Sequence, residues 1–264
     1  MSERTVVRFY VLAFGIAWLG WIPAALGSRS IAPFDAPHFQ FLLILPAIAP
    51  ALAAVIVMRA TYGVVASNEL FKALVRWQVS PAWYLVAVLG PLVLLVAGRT
   101  VTDVLRLTDV PPAPQGEPIA LAIVALITSL LANPWEEVGW RGFALPHLQE
   151  RHTALIATLI VGGLWGVWHT PVFFWIGNPM STYPFLPWFA GTVAVAFIYT
   201  WLYNSTAGSL LPVTLFHVTL NTLGVVVNGV SVAALAIVYA LVAIILILVF
   251  GGVSLSQRER VRMG

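Results

Sequence analysis

About eight apolar segments run through this sequence, at residues 6–26, 39–58, 82–98, 119 to about 148, 153–176, 185–203, 209–227 and 232–250. Most have the roughly 17–25 residues that let a helix cross a hydrocarbon core of about 30 Å. In lipid only a structure that satisfies its own backbone can span, so these segments have to be helices. Charged residues make up 9% of the chain, against about a quarter in a soluble domain. A water-facing surface cannot be covered with so few. The expected fold class is all-α: a polytopic membrane protein with about eight transmembrane helices, in which residues 1–264 form a single helical membrane domain.

The segment at 6–26 follows Arg4 and Arg8 but is longer than a signal-peptide core of about 7–15 residues, so it reads as a span. Residues 59–80 alternate apolar Phe71, Leu74, Val75 and Trp77 with Lys72, Arg76 and Gln78, the pattern of a helix lying in the interface. The loop at 102–118 is broken by Pro111, Pro112 and Pro114. Asp35, Asp103 and Asp109 read as solvated loop charges. Gly162-x-x-x-Gly166 reads as close helix contact rather than chemistry.

The chain holds 13 lysines and arginines. An even span count puts both termini on one side, and that side collects Arg4, Arg8, Arg59, Lys72, Arg76, Arg141, Arg151, Arg258, Arg260 and Arg262. Arg29, Arg99 and Arg106 remain for the other. The positive-inside rule therefore places both termini in the cytoplasm and the chain in a cell membrane. The sequence has no cysteine, which excludes disulfides, thiol catalysis and thiolate metal sites. No glycine-rich phosphate loop is present, and the net charge of +3 gives no reason to expect a nucleic-acid partner.

Against this apolar background one stretch stands out: Asn133-Pro134-Trp135-Glu136-Glu137-Val138-Gly139-Trp140-Arg141-Gly142. Ionisable groups held at membrane depth mark functional sites by default. Glu137 and Arg141 stand one helical turn apart and can form an internal ion pair. Glu136 points about 100° away and stays free for another task. His169, His217 and Asn221 are the other polar side chains in apolar spans that call for explanation, and His217 and Asn221 share a face at i, i+4.

The spans carrying Glu136 and His169 are joined by a tight connection at residues 150–153 and are expected to form an antiparallel hairpin. In such a hairpin the two residues are equidistant from the turn, hence level. His217 enters by about 12 Å from the start of its span, at 1.5 Å per residue. The spacing allows one cluster of Glu136, Glu137, Arg141, His169, His217 and Asn221. A glutamate touching a histidine in a low-dielectric cavity can hold and deprotonate a water. His217 and Asn221 could donate to an oxyanion. Together these parts describe amide hydrolysis inside a membrane.

Glu136-Glu137-x-x-x-Arg141, the aromatic Trp165 ahead of His169, and His217-x-x-x-Asn221 resemble the three motifs of CPBP-type intramembrane proteases. That family includes the type II CAAX prenyl endopeptidases and bacterial proteins linked to bacteriocin processing or immunity. The resemblance covers a protease-like core at about 119–227. It implies a glutamic mechanism without a cofactor: Glu136 and His169 activate water, His217 and Asn221 stabilise the tetrahedral intermediate, and Glu137 and Arg141 orient the first carboxylate. It also implies a membrane-embedded or lipidated substrate, in some members a prenylated tail, with the bilayer as the surroundings. Trp165 stands where the family usually has phenylalanine and is expected to serve as an aromatic contact. Two alternatives use the same residues: a zinc protease with two histidines and a carboxylate as ligands, or a non-catalytic scaffold or transporter.

Overall fold

A computed structural model describes residues 3–263, and every regular element among them is helical. The order is α1 (Glu3–Gly27), a 3-10 turn (Pro37–Leu43) leading into α2 (Ile44–Tyr62), α3 (Val64–Leu74), α4 (Pro81–Leu105), α5 (Pro118–Glu137), a π-helical segment (Val138–Ala144), α6 (Leu145–Gln149), α7 (Ala154–Trp168), α8 (Phe185–Ser205), α9 (Leu210–Val226) and α10 (Val232–Phe250).

Among the described residues seven spans are long and apolar enough to cross a membrane: Glu3–Gly27, Pro37–Tyr62, Pro81–Leu105, Pro118–Gln149, Ala154–Phe174, Phe185–Ser205 and Val232–Phe250. The chain is a multi-pass membrane protein. The eighth expected segment is present as α9, but with 17 residues it is the short member of the set. It is bounded by left-handed turns, with Ala207 at φ 51° and Gly208 at φ 82° before it and Gly229 at φ 78° after it. The interfacial helix expected over 59–80 condenses to α3, which leaves Val64, Val65 and Phe71 exposed beside Lys72.

Where helices approach closely, small residues make the room. Ala13, Ala17 and Gly20 of α1 are buried in a core that also holds Ala49, Ala53 and Ala54 of α2. A Cβ on Gly20 would sit 2.5 Å from the Leu42 carbonyl oxygen. A Cβ on Gly162 would lie 2.9 Å from the Ala196 Cβ, so Gly162 sets the approach of α7 to α8 as its spacing suggests.

The expected hairpin forms only in part. The link at 150–153 is tight, but the main neighbours of α5 are α9 and α2, while α7 lies chiefly on α8 and touches the first arm through α6 and the π segment. α9, rather than α7, packs along α5. This places His217 and Asn221 directly beside the acidic motif, a proximity the spacing allowed without requiring.

The two ends of the described residues lie at one end of the bundle. Arg151 is 3.8 Å from Glu3, and the tail after α10 folds back over the same end. Gln149 and Asn204, both fully buried, exchange side-chain bonds of 3.1 and 2.8 Å. Each also holds the tail, Gln149 Nε2 donating to the Val261 carbonyl and Asn204 Nδ2 to that of Ser254. Carbonyls of Gly252 and Val253 accept from the first amides of α7, Leu155 and Ala154, at 2.9 Å. These are amides a helix start leaves without internal partners. At the opposite end Asp109 is not merely solvated: it accepts from Ser231 Oγ and the Ala233 amide at the start of α10.

Candidate active site

The acidic motif sits where an α-helix gives way to a π-helix. Pro146 has no amide hydrogen, so the Gly142 carbonyl loses its α-helical partner and the wider i→i+5 pattern is locally favoured. Gly139 permits the second feature. A Cβ there would fall 2.4 Å from the Pro50 Cβ and 2.7 Å from the Pro50 carbonyl, so α2 runs hard against this turn. All seven residues of the π segment are buried. Such bulges recur at functional sites because they re-aim side chains.

Glu137 and Arg141 form the pair their spacing predicts. Arg141 Nη1 donates to Glu137 Oε1 at 3.1 Å, and the side chains are 0% and 1% exposed. His217 Nδ1 approaches the same oxygen at 2.8 Å. A carboxylate oxygen only accepts, so Nδ1 carries the proton and donates. Glu137 Oε2 and Arg141 Nη2 are buried without a hydrogen-bond partner among the described residues. The guanidinium is held instead by π faces, with its Cζ 4.2 Å from the Tyr199 ring centroid and 4.7 Å from that of Trp165.

Glu136 belongs to a second set of bonds. Its Oε2 accepts from Trp165 Nε1 at 2.8 Å and from Trp140 Nε1 at 3.3 Å. Among the described residues its other oxygen, Oε1, accepts from no protein group. His169 lies at the end of α7 with Nδ1 2.8 Å from the Trp165 carbonyl. A carbonyl cannot donate, so that nitrogen bears the proton, and in the neutral ring Nε2 then keeps a lone pair. Trp21, Trp168 and Trp188 surround the imidazole at centroid distances of 5.6, 4.7 and 5.4 Å.

All six residues singled out in the sequence fall in one neighbourhood. Asn221 is the outermost: it is exposed, and its Nδ2 reaches Asn133 Oδ1 at 3.4 Å, one turn before Glu137. Glu136 and His169 are linked through Trp165, whose indole bonds the one and whose carbonyl bonds the other, rather than by a bond of their own among the described residues. Trp165 also lies 5.6 Å from the His217 ring. It is therefore a hydrogen-bonding member of the site and more than an aromatic contact. Trp140, Tyr199 and Asn133, to which the motifs assign no role, complete the surroundings of the two carboxylates. Their signal was positional: Trp140 and Asn133 are one turn from Glu136 and Glu137. Among the described residues no three His, Asp or Glu side chains converge as a metal ligand set requires.

Residues 118–223 match the family described as type II CAAX prenyl endopeptidase Rce1-like. CAAX prenyl protease 2 of Methanococcus maripaludis is 30% identical over 106 residues, 38% of this chain and 39% of that protein. The chain thus spans about two-fifths of the length of the curated relative it matches. The matched stretch contains all six residues described above and every side chain that bonds to them.

Proposed function

We propose that this chain, whose residues 118–223 carry the Rce1-like region, is an intramembrane endopeptidase that hydrolyses a peptide bond of a membrane-associated substrate. The observation that carries the reading is the paired, buried carboxylates with different surroundings. Glu137 is neutralised by Arg141 and bonded to His217. Glu136 keeps one oxygen clear of protein donors and stands across Trp165 from His169. One carboxylate is structural and the other is available for chemistry.

In the reaction, a water bonded to Glu136 Oε1 gives its proton to that carboxylate as its oxygen adds to the scissile carbonyl carbon. His169 Nε2, an acceptor in the tautomer fixed by the Trp165 carbonyl, takes the water's second O–H as a hydrogen bond and aligns the attack. The carbonyl π electrons move to oxygen. The resulting oxyanion takes hydrogen bonds from Asn221 Nδ2 and from His217, which must carry protons on both ring nitrogens to donate from Nε2. Collapse of the tetrahedral intermediate breaks the C–N bond, and the proton held by Glu136 passes to the leaving nitrogen. General-base catalysis of this kind contributes about 10²–10⁴-fold, and each oxyanion donor about 10²–10³-fold.

The relative named above is called a CAAX prenyl protease, which supports a substrate with a prenylated C-terminal tail. The excess of basic residues at the end holding both termini supports a cytoplasmic location for that end. The test is cleavage of a panel of prenylated and unprenylated tail peptides in liposomes, with mass spectrometry of the products. The wild type is expected to cleave the prenylated members and Glu136→Gln to cleave none. Equal cleavage by both proteins would overturn the assignment of Glu136. No cleavage by either would favour a non-catalytic role for the cluster.

A further inference from the structure

Trp165 sits at the crossing point of the site. Its indole N–H donates to Glu136 Oε2 at 2.8 Å, its carbonyl accepts from His169 Nδ1 at 2.8 Å, and its ring face takes the Arg141 guanidinium at 4.7 Å. Trp165 is 6% exposed, and its N–H bonds the carboxylate within the buried site. Two of these contacts do not require tryptophan. Any residue at 165 supplies the carbonyl, and a phenylalanine ring would still present a face to Arg141. Only the indole nitrogen can hold the carboxylate.

We infer that Trp165 is a positioning residue that fixes the rotamer of Glu136 through its indole N–H, so that Oε1 is the oxygen presented to the attacking water. This deepens the protease reading and rests on it. Held by one donor at 2.8 Å and a second, from Trp140, at 3.3 Å on the same oxygen, the carboxylate cannot rotate about its terminal bond without breaking a charge-assisted hydrogen bond, a strong class of contact in a water-poor interior. Terminal carboxylate torsions are otherwise soft and roughly two-fold, so without the Trp165 indole only the longer 3.3 Å bond from Trp140 would oppose interchange of the two oxygens. His169 is fixed by the backbone of the same residue. The two groups that contact the water are thereby held to one reference point.

The test removes the N–H and keeps the ring. In one variant Trp165 is replaced by 3-benzothienylalanine, in which sulfur takes the place of the indole nitrogen; in a second, Trp165→Phe, the ring is smaller. Two quantities are measured in detergent-solubilised full-length protein. The first is the antisymmetric carboxylate stretch in infrared difference spectra, assigned by its loss in Glu136→Gln. The second is kcat and KM on the cleaved peptide. The band is expected to shift in both variants. The kcat value is expected to fall about ten-fold with KM within two-fold and the melting temperature of the benzothienyl variant unchanged. A band that does not move, or an unchanged kcat in the benzothienyl variant, overturns the inference. A fall in kcat that tracks lost thermal stability in both variants overturns it too, since a purely structural role predicts that result. If the wild type cleaves none of the peptides, the protease reading has failed. The infrared measurement still decides whether the indole fixes the carboxylate: a shifted band supports the positioning and an unmoved one refutes it.

Discussion

His217 Nδ1 stands 2.8 Å from Glu137 Oε1, and Arg141 Nη1 reaches the same oxygen from 3.1 Å. One carboxylate oxygen thus ties α9 to the π segment and neutralises a buried cation. Among the described residues its neighbour in sequence, Glu136, pairs with no cation and is held by two indole N–H groups. Two adjacent glutamates on one helix have different partners because the helix turns about 100° between them.

That division can be read in stability. Removing one partner of a buried ion pair leaves the other charge uncompensated and costs about 3–5 kcal/mol. Glu137→Ala is expected to lower stability by that order, seen as a large drop in melting temperature or in the denaturant needed to unfold the purified protein. Glu136→Gln, which keeps shape and an acceptor for the indoles, is expected to leave the melting temperature almost unchanged while cleavage is lost. Equal destabilisation by the two would contradict the division.

Gly139 gives a second prediction. Adding a Cβ 2.4 Å from the Pro50 Cβ, with the Pro50 carbonyl at 2.7 Å, meets backbone that has no side-chain rotamer to yield. Gly139→Ala must push α2 away from the π segment. Overpacking of this kind costs about 1–3 kcal/mol, and because the same turn aims Glu136 and Arg141, activity should fall further than stability alone explains. Gly163, with nothing within 4 Å of its Cβ position, is the matched control, and Gly163→Ala should change neither.

The tail latch is testable without any substrate. Asn204 Oδ1 accepts from Gln149 Nε2 and the Val261 amide, while its Nδ2 donates to Gln149 and to the Ser254 carbonyl. Asn204→Leu would leave several buried polar groups unpaired, at about 1–3 kcal/mol each. Hydrogen exchange should quicken at Ala154 and Leu155, whose amides bond to tail carbonyls, and should stay slow within α9. Unchanged exchange at those two amides would show that the tail is held by other contacts.

Chelation separates the glutamic mechanism from the zinc alternative. Cleavage is expected to persist after exhaustive treatment with a strong zinc chelator, and elemental analysis of active protein should find well under one zinc per chain. A stoichiometric metal whose removal abolishes cleavage would favour the alternative, with His169 and His217 as ligands.

Much of this site could be read from residue order. The spans followed from apolar length, and the Glu137–Arg141 pair followed from a four-residue spacing that survives into the π segment. Symmetry about the turn at 150–153 brought Glu136 and His169 into consideration together, and both bond to Trp165. What could not be read depended on three-dimensional neighbours. That α9 rather than α7 is the main companion of α5 is a matter of helix tilt, which a four-residue link does not set. The hydrogen bond from Trp165 depends on the rotamer of an indole, and a sequence pattern registers that residue only as aromatic. Asp109 looked like a loop charge because the amides it caps lie more than a hundred residues away.

The π segment also has a meaning as a phase shifter. A wide turn of this kind accommodates one residue more than an α-helix would, and one residue is about 100° of rotation. It therefore sets the angular offset between two surfaces of a single continuous rod: the one bearing Glu136 and Glu137, and the one on which Gln149 meets Asn204. Deleting a single residue between 139 and 144 would restore the ordinary pitch but take the two surfaces out of phase. The carboxylates could then face α9 only if Gln149 left its partner and released the tail. Catalytic alignment at one end of the rod and closure of the bundle at the other are thus two readings of the same dial.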